Sequence, residues 1–509
     1  MRSNVKLRVR GGVFVILAIA TSVLGWAGSG ARAAETGVPG AVVSLDGTWS
    51  LAPDPKNVGR QQRWWEAPVA GAKPTRVPWI IQEVFPGFHG VAWYWRDVVA
   101  PVNLHSGGRY LLRFWAVDYL ADVWVNGIHV GHHEGGEDPF VLDVTEAIKP
   151  KAANRIAVRV LNPSYEPIDG IVLGQTPRRN KTHPYSPGSD YNYGGITDSV
   201  ELLVAAPVRV EDLFVRPDPA TGILRIHANL RNAAKQPAKG RIHFVVAPAS
   251  GGESLAAASL AVDLPAGDTG VDATLRVPEP RLWNLNDPFM YRATARVEAE
   301  GSVSCDEHST RCGFRDFRMQ NGYFRLNGRR IYLKSSHTGA DTPVGVRVAY
   351  DPDLLRRDLL NCKAMGFNMI RFIAGLAQRY QLELCDEIGL LVYEENFASW
   401  CLGDSPQMGE RFDHSTLAMI RRDRNHPSIV MWGLLNETGS GSVFFRAVTA
   451  LPKVRAMDDT RVVMLNSGGF DNYTRGTKVV GPSTWRVDTG LVPNRSEEHT
   501  SELQSRGLI

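Results

Sequence analysis

The 509-residue sequence predicts three successive folds: a β jelly roll, an immunoglobulin-like β-sandwich and an incomplete (β/α)8 TIM barrel. Three observations carry this expectation. Short alternating runs separated by turn residues fill the stretch from about Val42 to Ala206. A second all-β stretch, of ordinary domain length, runs from about Val208 to Cys312. After Gly313 the rhythm changes to strand, helix, strand. The expected boundaries are 1–33 for a signal peptide, 40–207, 208–313 and 314–494 for the three folds, and 495–509 for a non-native tail.

The N-terminus carries Arg2, Lys6, Arg8 and Arg10, then an apolar run from Val13 to Leu24, then Ala31-Arg32-Ala33. That order is a secretory signal, with an apolar run too short to span a bilayer, so the mature chain is expected to begin near Ala34 and to be secreted or periplasmic. No later segment reads as a membrane span. The net charge of +4 arises from 57 basic and 53 acidic residues scattered along the chain, with no basic run to follow a phosphate backbone, which argues against nucleic acid as a partner.

Within the first fold, Leu120 to Gly131 alternates on both sides of Asn126-Gly127, the dipeptide that best supplies the positive φ angles of a type I′ hairpin. In Arg155 to Leu161, Ile156, Val158 and Val160 point one way while Arg155, Ala157 and Arg159 point the other. The second fold has candidate strands at Val208–Val215, Ile223–Leu230, Arg241–Val246 and Tyr291–Val297. It reads as a spacer without chemistry.

The third fold starts with a short strand at Ile331–Lys334, followed by a helix on which Leu355, Leu359 and Cys362 share one face. Strands are expected at Met369–Ile373, Leu390–Tyr393, Ile429–Leu434 and Val462–Asn466, with helices at Leu376–Ile388, before Arg424, and ahead of Val462; Lys478–Gly481 is a possible sixth strand. Barrel closure needs eight. An open barrel would leave strand edges unprotected, so instability or aggregation is expected.

Five cysteines, at 305, 312, 362, 385 and 401, show no CxxC spacing, so zinc held by thiolates is not expected. Cys305 and Cys312 are close enough in sequence to suggest a small disulfide loop, although all five are read as structural.

The residues with the clearest chemistry are Asn436 and Glu437. They end the run Asp423-Arg-Asn-His-Pro-Ser-Ile-Val-Met-Trp-Gly-Leu-Leu-Asn-Glu437, whose apolar part fits a buried parallel strand. A carboxyl group at such a strand end is expected to be partly desolvated and fit to act as a general acid. The bland alternative is a helix cap.

This run resembles the acid/base signature of glycoside hydrolase family 2, and the resemblance covers most of the mature chain. Ala92-Trp93-Tyr94-Trp95-Arg96, Val125-Asn126-Gly127, His133-Glu134-Gly135-Gly136 and Tyr193-Gly194-Gly195-Ile196 are similar to the family's sugar-binding jelly roll. Leu282-Trp283, Pro288 and Tyr291 resemble the end of its immunoglobulin-like domain. Leu326-Asn327-Gly328, His337, Asn368-Met369-Ile370-Arg371, Cys385 to Gly389 and Asp459-Thr460-Arg461 follow in the order of its barrel. The resemblance implies a retaining exo-β-glycosidase acting on β-galactosides, β-glucuronides or β-mannosides, with a carbohydrate as its partner. It implies that Glu437 is the acid/base, that Asn436 contacts the sugar, and that Arg371, His337 and Glu395 belong to the pocket; the alternatives are a salt bridge inside the barrel for Arg371, a polar rim residue for His337 and an exposed loop charge for Glu395. Trp400 is a candidate for stacking on a sugar face, and Asp190 for reaching across from the jelly roll.

Three departures from the family pattern stand out. Phe372-Ile373-Ala374-Gly375 replaces the histidine and tyrosine that many relatives place after the arginine. Phe397-Ala398-Ser399-Trp400 lacks the carboxylate and histidine of metal-using relatives, so neither a required metal nor another cofactor is expected. No glutamate occurs between Glu437 and Glu497, so the nucleophile is expected to be absent from this chain; Ser496 to Arg506 resembles translated sequencing adapter. A non-catalytic carbohydrate-binding protein on the same scaffold is the alternative.

Overall fold

The computed structural model describes residues 40–178, 181–186, 190–301, 305–338, 352–398, 401–439, 441–467 and 491–492. The expected signal peptide, the strand at Lys478–Gly481 and the tail after Asn494 lie outside these residues.

The jelly roll packs a four-stranded sheet (Ala41–Ser44, Val200–Ala205, Arg109–Phe114, Phe140–Asp143) on a six-stranded one centred on Gly90–Val99 and Ala153–Asn162. Its hairpin forms where the sequence places it: Val125 pairs with Ile128, and Asn126 and Gly127 have φ of 51° and 83°. Ile156, Val158 and Val160 enter the core between the sheets with Leu112, Phe114 and Leu202. The opposite face is also covered. Trp93, Trp95 and Trp124 are buried there with Trp64 and Trp65 packed against them, and Arg159 is fully buried, donating to Asp122 Oδ2 (3.1 Å) and Asn57 Oδ1 (2.8 Å).

The second domain has seven strands, in sheets of three (Val208–Asp218, Ile223–Asn232, Gly267–Arg276) and four (Ala256–Leu264, Ala238–Pro248, Tyr291–Ala299, Cys305–Cys312). Three of these go beyond the strands expected from sequence. Ala256–Leu264 and Gly267–Arg276 alternate in exposure but are built largely from Ala, Ser, Gly and Thr, which carry little hydrophobic contrast. The suggested Cys305–Cys312 disulfide is corrected: the two thiols stand at opposite ends of one strand, roughly 23 Å apart at the rise of a β-strand, and both are free.

Asp306, on the last strand, accepts a hydrogen bond from Val210 N (2.9 Å), and burial above all pushes its carboxyl up to about 6. A folded-state value above the unfolded one means that its contribution is complete at low pH and is lost as pH rises through about 6. Asp306→Asn keeps an oxygen for Val210. It is expected to flatten the pH dependence of the thermal midpoint between about pH 4 and 6 and to stabilise the domain by about 2 kcal/mol near neutrality. An unchanged slope across that window would refute this.

The third domain is a parallel β/α array. Its strands are β1 (Ser335–Thr338), β2 (Met369–Phe372), β3 (Leu391–Glu395), β4 (Ile429–Asn436), β5 (Val462–Ser467) and β6 (Leu491–Val492), hydrogen-bonded in that order. Among the described residues four helices lie between them: α1 (Pro352–Ala364), α2 (Arg379–Ile388), α3 (Met408–Asp423) and α4 (Ser442–Met457). The first strand corrects the sequence expectation. It begins at Ser335, four residues late, because Ile331 and Leu333 instead pack against the cluster of Trp283, Phe317, Met369 and Leu391 at the start of the strands. Helix α2 has readable ends: Gln378 and Gln381 form a capping box, and Gly389 (φ 79°) closes it with its N–H on Cys385 O (3.0 Å).

Candidate active site

The carboxyl ends of β2 to β5 bring four polar side chains together. Arg371 of β2 donates from Nε to Glu395 Oε1 (2.8 Å) and from Nη2 to Asn436 Oδ1 (2.6 Å), and it also bonds Ser467 Oγ. Ser467 of β5 donates onward to Glu395 Oε1 (3.0 Å) and lies 2.9 Å from Asn436 Oδ1. Glu395 Oε2 accepts from the backbone N of Ala374 (2.7 Å), so both oxygens of this fully buried carboxylate are paired. Gly433 on β4 makes room for it: a Cβ there would come within 2.4 Å of Glu395 Cγ. Glu395 is therefore not an exposed loop charge; it holds Arg371 in place. The Arg371 side chain keeps 17% exposure, against none for Glu395, so the ion pair and a pocket-facing position coexist.

Asn436 uses its oxygen within this network, while its Nδ2 is buried without a hydrogen-bond partner among the described residues. An orphaned amide at a strand end is matched to an acceptor brought by a ligand, since buried polar groups are otherwise almost always paired. Glu437 follows in the left-handed region (φ 49°), with its backbone N–H on Ser467 O (2.7 Å). Such a backbone is strained for a residue with a side chain, and here the bond to β5 holds it. The Glu437 side chain is exposed. The partial desolvation expected of it is corrected: burial falls instead on Glu394 and Glu395, one strand away.

His337 lies on β1, paired in register with Arg371, and is exposed. Asp190 begins a two-residue strand parallel to Lys181–Thr182; its side chain, like Trp400 as a whole, lies outside the described residues. Sequence reasoning missed Ser467 and Glu394. Glu394 is fully buried, and burial together with the neighbouring Asp423 holds its carboxyl well above the usual range. Only the paired glutamates at 394 and 395 hinted at it, and nothing in the sequence marks Ser467.

The first half of the Asp423-to-Glu437 run has a different job. Asn425 pairs with the immunoglobulin-like domain, accepting from Val215 N (3.0 Å) and donating to Leu213 O (2.7 Å), and Arg424 pairs with Asp212. His426 Nδ1 meets Asp386 Oδ2 (2.6 Å), and Arg461 of the Asp459-Thr460-Arg461 motif donates to His426 O (2.8 Å) and Ile429 O (3.1 Å). These bonds fix the start of β4 to the second domain and so set where its far end presents Asn436 and Glu437.

A cleft of about 660 Å³ lies between the jelly roll and the barrel, lined among others by Glu134, Asp138, Arg178, Arg411 and His414. None of Arg371, Glu395, Asn436 or Glu437 lines it.

A jelly roll, an immunoglobulin-like sandwich and a parallel β/α array whose strand ends gather an Asn-Glu pair around an arginine make up the architecture of a multidomain glycoside hydrolase. The comparisons agree. The glycosyl hydrolases family 2 sugar binding domain matches residues 42–207, the family's central domain matches 208–315, and its TIM barrel domain matches 317–506. The chain belongs to glycoside hydrolase family 2. It is 27% identical over 459 residues to a β-glucuronidase of Rattus norvegicus, covering 82% of this chain and 67% of that protein. Among solved structures, the Bacteroides uniformis β-glucuronidase superposes with a TM-score of 0.71 at 22% identity, over 86% of this chain and 54% of that one. The Ruminococcus gnavus β-glucuronidase in complex with D-glucuronic acid gives 0.70 at 22% identity, over 84% and 73%. These likenesses show the fold. The chain thus spans between about half and three quarters of the length of these relatives.

Proposed function

We propose that this chain is the body of a retaining exo-β-glycosidase that removes a terminal β-linked sugar, with a β-glucuronide first in line and β-galactosides and β-mannosides behind it. The observation that carries the reading is the strand-end group in which Arg371, buttressed by Glu395 and Ser467, holds Asn436 directly before Glu437. The names of the relatives, β-glucuronidases, put the glucuronide first.

In this reading Glu437 protonates the departing glycosidic oxygen and then, as a carboxylate, deprotonates the water that releases the sugar. Asn436 turns its unpaired amide to the hydroxyl beside the reacting carbon, a bond that tightens as positive charge develops on the ring. Arg371 fixes the asparagine's rotamer. We assign the nucleophile to no residue of this chain, because no glutamate lies between Glu437 and Glu497. The order of residues 1–33 supports work in the periplasm or outside the cell; no described helix is long and apolar enough to cross a membrane.

Reading the source locus onward from the codons for Pro493 to Ser496 tests the assignment. A frame that continues into β/α units with a strand-end glutamate supports double displacement, and one that stops there overturns it. The polypeptide so read is then offered aryl β-glucuronide, β-galactoside and β-mannoside while the anomer of the released sugar is followed by NMR. Retention is expected; release of the inverted anomer would discard the mechanism.

A further inference from the structure

A second cluster of chemistry-bearing side chains lies on the border of the jelly roll and the barrel. His133 is the penultimate residue of the strand Ile128–Glu134, Asp138 sits in the turn before Phe140, and His414 is in the second turn of α3. Asp138 Oδ2 lies 2.9 Å from His133 Nε2 and 2.7 Å from His414 Nε2, and the three atoms are all within 4.8 Å of one another. Both imidazoles therefore turn the same nitrogen toward one carboxylate oxygen.

Two further features set the cluster apart from an ordinary ion pair. His133 Nε2 is buried, and its 2.9 Å approach to Asp138 Oδ2 is out of line for a good hydrogen bond. Facing a carboxylate oxygen, that nitrogen occupies the place where a proton, or a cation in its stead, would sit between the two groups. Gly135, between the two jelly-roll residues, has φ of 151°, and a Cβ there would stand 2.2 Å from Asp138 Oδ1 and 3.0 Å from His133 Nε2. The chain bends around both groups at a residue with no side chain.

We propose that His133 Nε2, Asp138 Oδ2 and His414 Nε2 form a binding site for a zinc-type divalent cation that clamps the jelly roll to helix α3. Two imidazoles and one carboxylate suit zinc and its transition-metal neighbours, whereas magnesium and calcium favour all-oxygen sets. Tetrahedral bonds of about 2.0–2.1 Å would hold the ligand atoms roughly 3.3 Å apart, so the two contacts of Asp138 would each open by about half an ångström while the two imidazole nitrogens adjust around the ion. The His133 ring is braced by stacking on Phe140 (4.3 Å between centroids). His414 is half exposed at the rim of the 660 Å³ cleft, which leaves the fourth position to water. Beside it, Arg411 donates to Glu134 Oε1 (2.5 Å) and Gln175 O (2.9 Å), so the cation would join contacts that already cross the border. The site is separate from the segment after β3, where the sequence led us to expect no metal, and its residues have no ligand spacing legible in the chain.

The test uses the full, untagged chain, stripped with a chelator, desalted and titrated with zinc chloride, with bound metal counted by mass spectrometry. Wild type is expected to retain about one equivalent and to gain in thermal midpoint. His414→Ala, which trims a half-exposed side chain, is expected to retain none and gain nothing. Gly135→Ala should behave likewise, whereas His132→Ala, at an exposed neighbour on the same strand, should match wild type. Equal retention by wild type and His414→Ala, no retention by either, or magnesium held as well as zinc would each overturn the proposal.

Discussion

Glu437→Gln is expected to lower kcat/KM by about 10²–10⁴-fold on glycosides whose leaving group needs a proton. The amide matches the carboxyl in shape and cannot transfer a proton. The side chain is exposed and its backbone anchor, the N–H on Ser467 O, is untouched, so the thermal midpoint is expected to stay where it is. The pattern across substrates is diagnostic. Aryl glycosides with acidic phenols leave without help, so their first step should survive and the glycosyl-enzyme should accumulate, seen as a burst of phenol followed by slow turnover. Azide, a nucleophile that needs no base, should restore turnover on these substrates only. A uniform loss on good and poor leaving groups alike would show that Glu437 positions the sugar rather than moving a proton. The measurement belongs to the polypeptide read through to its nucleophile, with a truncation of Asn436 as a contrast. Asn436→Ala should cost both classes of substrate, because the bond it makes to the sugar serves both transition states.

The features the sequence shows most clearly are those decided by local chemistry. Asn126-Gly127 specifies its turn whatever surrounds it, the second barrel helix ends at Ile388 as expected although it starts at Arg379, three residues later than expected, and the apolar run from Ile429 marks a strand buried on both faces. The misses are decided elsewhere in the fold. β1 is Ser335-Ser336-His337-Thr338, a polar strand that no hydrophobic period announces, whereas Ile331 and Leu333 just before it look like a strand and serve as packing. Ser467 acquires its role only because β5 lies beside β4 in a register that puts it opposite Asn436. The run from Asp423 to Glu437 is legible as a unit by resemblance, yet its physics divides. Residues 424 and 425 hold domains together, His426 ties the strand to α2, 429–435 form the strand, and only the last two face chemistry. A motif can thus be recognised whole while most of its residues answer to packing.

Arg422→Ala is expected to destabilise the barrel domain by about 3–5 kcal/mol. Arg422 is 7% exposed at the end of α3 and grips Asp423, from Nε to Oδ1 (2.9 Å) and Oδ2 (2.8 Å). It also donates to Ala377 O (2.8 Å) ahead of α2 and to Glu137 O (3.1 Å) in the jelly roll, and its Nη2 stands 3.5 Å from Glu394 Oε1. Its removal leaves Asp423 and Glu394, with 1% and 0% side-chain exposure, side by side without a cation. Two buried carboxyl groups then escape the Coulomb cost only by taking up protons. The sign follows from linkage. Burial and Asp423 already hold Glu394 above its unfolded value, so its share of stability is full in acid and falls as pH rises; removing the arginine, which lowers it, raises Glu394 further. The deficit of the variant should therefore widen from acid to neutral pH in urea titrations of the chain. Arg422→Lys, which restores charge without the planar fork, should recover part of it. Adding Glu394→Gln to Arg422→Ala should recover more at neutral pH than in acid, since it deletes one of the two charges. A deficit independent of pH would show that the arginine acts through its packing and its bonds to Ala377 and Glu137, with the carboxyl pair already sharing a proton in the wild-type fold.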